Sequence, residues 1–118
     1  MYRLKSTTDL SFLSDVCIEQ LCVSAGALTI GGDNRVSIKI FASFAISTLG
    51  RSYTRFNGSV EDAMALLPLI GDCIREAKAT VDGGMQVDFK SGAVLMVFDD
   101  SDQFESFTIE YGDLLIVV

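Results

Sequence analysis

The 118-residue chain contains no histidine and no tryptophan, a single proline, and only nine lysines and arginines against sixteen aspartates and glutamates. Without histidine it lacks the commonest general base near neutral pH and the commonest metal ligand. A formal net charge of −7 and a pI near 4.3 leave no basic face for phosphates, so nucleic acid is not an expected partner. Long hydrophobic runs are missing too. The longest uncharged stretch, Gln20 to Gly32, is 13 residues with three glycines and a serine, too short and too polar to cross a bilayer. No membrane partner is expected. The N-terminal MYRLKSTTDLSFLSD does not read as a signal peptide, because Thr7, Thr8, Asp9 and Asp15 interrupt its apolar positions and no small-residue cleavage site follows. A cytoplasmic location is the expectation.

Apolar residues make up 49% of the sequence and mean hydropathy is +0.39, which excludes disorder and leaves a core's worth of material for one domain over residues 1–118. Cysteines number three, Cys17, Cys22 and Cys73. An odd count without a secretory signal argues against a disulfide framework, and the spacing without histidine makes a poor zinc site. Buried core thiols are the expectation.

Two stretches of the chain echo each other. Leu13-Ser14-Asp15-Val16-Cys17-Ile18 resembles Leu69-Ile70-Gly71-Asp72-Cys73-Ile74, Leu28-Thr29-Ile30 lines up with Met85-Gln86-Val87, and Val36 to Ile40 lines up with Val94 to Phe98. The offset drifts from 56 to 58 residues, too long a period and too few copies for a solenoid. The economical reading is two β-meander units, about 10–56 and about 60–118, packed around a pseudo-twofold axis.

The strands are legible from alternation and turns. Met85 to Phe89 alternates apolar and polar, as a half-buried strand does. Lys90-Ser91-Gly92 signals a hairpin, because glycine supplies the positive φ of tight connections. Ala93 to Phe98 is apolar on both faces and predicts a strand covered on both sides. Further strands are expected over Cys17 to Ser24, Ala27 to Gly31, Arg35 to Phe41, Ser52 to Phe56, Cys73 to Val81, Phe104 to Tyr111 and Leu114 to Val118. Gly31-Gly32-Asp33-Asn34, Asn57-Gly58, Asp82-Gly83-Gly84 and Gly112-Asp113 read as turns. One helix is expected after an N-cap at Ser59, with Glu61 and Asp62 in its first turn and Pro68 as its stop. A shorter helical turn is expected near Asp9 to Leu13. The predicted class is α+β, mainly antiparallel β, with one or two short helices.

Catalytic constellations are thin. There is no Gly-x-Ser-x-Gly elbow and no histidine to activate a serine or cysteine. Asp15 and Asp72 recur at matching places and read as turn formers, while Asp88, Glu105 and Glu110 are expected on exposed polar strand faces. Phe41, Phe44, Phe89, Phe98, Phe104, Phe107 and Tyr111 read as core. No cofactor and no metal are expected, and a non-enzymatic protein is the expectation.

Acidity is concentrated in one place, Asp99-Asp100-Ser101-Asp102-Gln103-Phe104-Glu105. These carboxylates fit three readings: a calcium loop, a solvated connection between strands, or an acidic contact surface. The first lacks the glycine and flanking helices of an EF-hand. The charge is also divided along the chain. Residues 1–59 balance to +2 and residues 60–118 to −9, a segregation able to steer a cationic partner or simply to keep sheet edges soluble.

Ile70-Gly71-Asp72-Cys73-Ile74, the run Asp88-Phe89-Lys90-Ser91-Gly92-Ala93-Val94-Leu95, Phe104-Glu105-Ser106-Phe107-Thr108-Ile109 and the closing Leu115-Ile116-Val117-Val118 together resemble a group of small bacterial domains. That group includes immunity proteins of contact-dependent and other polymorphic toxin systems. The resemblance covers residues 66–118, with an echo in 10–41. It implies a cytoplasmic protein that binds and neutralises a cognate toxin, usually without enzymatic activity. Many such toxins are nucleases with basic clefts, so Asp99, Asp100, Asp102 and Glu105 are the expected contacts with a basic toxin. The alternative is a self-associating structural or regulatory β domain, a homodimer paired through the uncharged strand Leu114 to Val118.

Overall fold

Ten short strands carry the chain, and the turn residues between them decide how they pair. In the computed structural model, residues 2–48, 54–56, 60–101 and 103–118 are described. The strands are β1 (Ile18–Ser24), β2 (Ala27–Gly32), β3 (Val36–Ile40), β4 (Phe44–Ser47), β5 (Thr54–Phe56), β6 (Ile74–Ala79), β7 (Met85–Phe89), β8 (Val94–Val97), β9 (Phe107–Tyr111) and β10 (Leu114–Val117). All pair antiparallel, in two five-stranded sheets ordered β1-β2-β3-β9-β10 and β5-β4-β8-β7-β6. The fold is mainly antiparallel β, as the alternation implies.

Several turns fall where the sequence places them. Gly92 takes φ +98° and closes the β7–β8 hairpin, with the Phe89 N–H donating to the Ala93 carbonyl at 2.9 Å. Gly112 and Asp113 form the two-residue β9–β10 loop, opposite Tyr111 and Leu114 in register. One turn is displaced. Gly31 and Gly32 belong to β2, and the reversal is carried by Asn34 and Arg35, both at positive φ. Gly32 is needed inside the strand for another reason, since a Cβ there would lie 2.5 Å from the Val16 side chain. The Asn57-Gly58 turn and the Ser59 cap lie outside the described residues.

The helix differs from its expected form. Val60–Leu69 is a 3-10 helix with Pro68 inside it, so proline does not end it. The apolar spacing explains the geometry. Ala63, Leu66 and Leu69 recur every third residue and are buried, and side chains three apart eclipse on a three-residue turn. Proline removes one N–H donor near the end of the helix. The three-residue pattern still continues through Ile70 N–H to Leu67 and Asp72 N–H to Leu69. Met64, Leu67 and Ile70 form a second stripe at the same spacing, and it is exposed. The short turn is a 3-10 element over Ser11–Leu13, started by Asp9, whose carboxylate accepts the Ser11 N–H at 2.9 Å.

One core serves both sheets. Leu28, Ile38, Ile40 and Ile109 from the first sheet meet Phe44, Ile74, Met85, Val87 and Leu95 from the second, with Leu13, Leu66 and Leu69 closing the ends. Each such side chain stabilises the fold by about 1.5–3 kcal/mol on burial. β8 is covered less than its composition suggests, with Leu95 and Val97 buried but Val94 and Met96 only half-buried. Asp88 corrects the alternation in β7. It is buried, held by Gln86 Nε2 at 3.0 Å and by Arg75 at 3.6 Å.

The largest correction concerns sulfur. Cys17 and Cys73 are joined in a disulfide across an antiparallel bridge between the segments that lead into β1 and β6. Cys22 is free and exposed rather than buried. Sequence spacing hides the pairing, because two positions 56 residues apart return to the same point only once both sheets are built.

Candidate functional site

At the far ends of β1, β2 and β3 from the disulfide, three connections converge on an open groove of about 570 Å³. Gly26 comes from the β1–β2 turn, Phe41, Ala42 and Ser43 from the β3–β4 link, and Asp100, Ser101, Phe104 and Glu105 from the β8–β9 link. The acidic segment therefore lies against an aromatic wall supplied by a distant part of the chain.

Serines fix the wall and the loop. Ser106 is fully buried; its hydroxyl donates to Asp99 Oδ1 at 2.8 Å and accepts the Ser101 N–H at 3.2 Å. The Ser106 carbonyl receives the N–H groups of both Phe41 and Ala42, at 2.9 and 3.2 Å. Ser101 Oγ accepts the Phe104 N–H at 3.1 Å, the local capping that makes serine common in tight loops. Ser43 is buried and donates its hydroxyl to Asp100, while its carbonyl accepts the Phe98 N–H at 3.1 Å. Each buried hydroxyl is thus committed, which keeps the groove in one shape.

The four expected contact residues separate. Asp100 and Glu105 line the groove and are exposed. Asp99 is half-buried and ties the N-terminal segment down, accepting the Arg3 N–H at 2.9 Å. Leu4 N–H continues that strap to the Gly83 carbonyl at 2.8 Å. Asp102 lies outside the described residues. Among the described residues, no three of the histidine, cysteine and acidic side chains gather into a group that could hold a metal ion.

The reading of the aromatics as core holds for Phe44, Phe89 and Phe107, which are buried. It fails for Phe41 and Phe104, exposed to 41% and 69% at the groove. Tyr111 is also exposed at 40%, against Phe12, with ring centroids 5.2 Å apart. Ser43 and Ser106 carry no signal in the sequence, since nothing local marks them as buried. For Phe104 a signal existed: it stands alone between polar residues in Asp102-Gln103-Phe104-Glu105, where a core side chain has no reason to be.

Asp15 and Asp72, read as turn formers, behave as such. Asp72 accepts the Cys73 N–H at 2.9 Å and the Ser91 N–H at 3.3 Å, and Ser91 Oγ donates to it as well. Asp15 adopts φ +69° and pairs with Lys90 at 2.7 Å. Two carboxylates sit below the usual aspartate range: Asp9, through the Ser11 N–H, and Asp82, through the Thr80 hydroxyl.

Among the described residues, no helix is long and apolar enough to cross a membrane. No protein-family model, curated protein or solved structure matches the chain.

Proposed function

We propose that this chain is a non-enzymatic binding protein that seats a basic protein partner in the groove between Phe41 and Phe104, in the manner of a bacterial immunity protein blocking a nuclease-type toxin. The observation that carries the reading is one of composition and shape. Two exposed phenyl rings and two exposed carboxylates, Asp100 and Glu105, share one groove whose walls are fixed by buried serines. Exposed aromatics are what protein interfaces concentrate relative to the rest of a surface, and charge beside them steers a complementary partner. Lysine and arginine are the complementary side chains, since they pair with carboxylates and lie favourably over aromatic faces. Asp99 contributes by position, because its carboxylate anchors the strap and the Ser106 hydroxyl.

The two-unit reading belongs with this proposal. What supports it is strand order: β1-β2-β3 completed by β9-β10 corresponds to β6-β7-β8 completed by β4-β5. The β1–β2 and β6–β7 ladders also carry matching irregularities, at Ile18/Gln20 and Ile74/Glu76. Burial favours matching Ile38 with Leu95 and Ile40 with Val97 rather than Val36 with Val94, since a one-residue slip would exchange the faces of the strand. A cytoplasmic site of action goes with the immunity reading.

Co-expression with the products of neighbouring genes tests the proposal. The expected result is a stable one-to-one complex with a basic chain and rescue of growth from that chain's toxicity. Failure to rescue any neighbouring toxic chain removes the reading. A second reading, self-association, is favoured by β10, an edge strand with Leu114 and Leu115 exposed. Light scattering after size exclusion distinguishes the two, since a dimer without any partner supports pairing through β10.

A further inference from the structure

The Cys17–Cys73 disulfide joins two segments that are also hydrogen-bonded to each other on both sides of it. The cysteines face each other at a non-hydrogen-bonded position of an antiparallel ladder. On either side, Ile74 N–H donates to Val16 at 2.7 Å and Ile18 N–H to Asp72 at 2.8 Å. One step further out, Asp15 N–H donates to Ile74 and Gly71 N–H to Ile18, both at 2.8 Å. The cysteines' own backbone groups are satisfied elsewhere. Cys17 exchanges hydrogen bonds with Asp33 through its N–H and its carbonyl, both at 3.0 Å. Cys73 donates to Asp72 at 2.9 Å and accepts from Lys90 at 2.9 Å. Val16, Ile18 and Ile74 bury their side chains beside the seam. Cys17 and Cys73 themselves are only half-buried.

We propose that Cys17–Cys73 is a reversible thiol–disulfide exchange site, opened and closed in the folded chain by a small-molecule thiol/disulfide couple of the glutathione class. This does not depend on the groove reading. In opening, a small thiolate attacks one Sγ, the S–S bond breaks, and the other cysteine leaves as a thiolate that takes a proton from water. A second small thiolate then attacks the mixed disulfide and releases the first cysteine, which is protonated in turn, together with the small-molecule disulfide. Two electrons pass from two small thiols to the protein, and closing is the reverse. The ladder keeps the two thiols opposite each other after reduction, so the same bond re-forms. Were the chain to act in the cytoplasm, as the immunity reading has it, such a device would also reconcile the disulfide with a reducing compartment, where stable structural disulfides are rare. Asp15, Asp33 and Asp72 flank the pair, with Lys90 bound to Asp15. An anionic thiol is therefore slowed relative to a neutral one.

The test uses the intact chain without denaturant. It is incubated with dithiothreitol or with reduced glutathione, quenched by alkylation, and followed by mass, far-ultraviolet circular dichroism and amide exchange. The expected result is a rise from one alkylated site, Cys22, to three. The spectrum should be unchanged, protection at Ile18 and Ile74 retained, and dithiothreitol severalfold faster than glutathione. Oxidised glutathione should then restore one alkylated site. Loss of the spectrum or of that protection on reduction overturns the proposal, as does a bond that yields only once the chain is unfolded.

Discussion

The clasped end and the groove end of the first sheet both tie aspartate to serine and differ in what they leave exposed. At the clasp, carboxylates are turned inward on their own chain: Asp33 and Asp72 each accept a cysteine N–H, and Asp15 meets Lys90. At the groove, roughly 20 Å away along β1, the serines turn inward. Their hydrogen bonds leave phenyl rings and two acids facing solvent. Acidic charge alone therefore does not mark a contact surface. What marks the groove is the pair of exposed rings, Phe41 and Phe104, beside its acids.

Breaking the disulfide gives the largest effect. The chain-entropy relation for a 56-residue separation gives a loss of about 4 kcal/mol of unfolding free energy on reduction. It should be read as a lower urea midpoint with a steeper slope, because the unfolded chain without its cross-link exposes more surface, and with partner affinity unaltered. A parallel fall in affinity would show that the two ends are coupled.

Ser106→Ala comes next. It removes one donor to Asp99 and the acceptor of the Ser101 N–H at a buried site and should cost about 1–3 kcal/mol in a denaturant titration. Phe104→Ala is its counterpart, leaving stability within about 0.5 kcal/mol while weakening partner binding by more than about 1 kcal/mol. Equal stability losses for the two variants would abolish the distinction between wall and contact.

Reversing charge with Asp100→Lys and Glu105→Lys should slow association about tenfold at low salt and far less at high salt, measured by stopped flow. An unchanged low-salt on-rate removes the groove acids from the contact.

The smallest effect lies in the acid limb. Asp82 has its pKa depressed chiefly by the Thr80 hydroxyl, so its contribution is present above the unfolded aspartate value and lost as pH falls through the folded one. Thr80→Val should flatten stability against pH in that acidic window only. A change at neutral pH equal to that at acid pH would assign Thr80 a packing role instead.

How far the sequence carried these features depended on their range. Alternation and glycine turns located nine strands, because period and positive φ are local properties. β4 escaped, since Phe44-Ala45-Ile46-Ser47 has neither alternation nor a turn residue beside it and is a strand because β8 lies alongside. The helix keeps its place but not its type, because first-turn acids and a cap do not distinguish a 3-10 from an α helix, and only the burial of Ala63, Leu66 and Leu69 does. Asp100 and Glu105 were legible as charge, but Phe41 was not, as only the folded β3–β4 link brings it to them. The disulfide was illegible for the same reason: it joins the beginnings of two strands that the chain visits 56 residues apart.

Strand order carries one more consequence, for biosynthesis. β3 pairs with β9 and β4 with β8, so each sheet is finished by strands from the other part of the chain. A chain emerging from the ribosome can form the β1-β2-β3 meander early. The inner edge of β3 then stays uncovered until residues 107–111 have been synthesised. Folding of the first sheet thereby waits for β9 to emerge, and the nascent chain spends that interval with an open edge exposed to its neighbours.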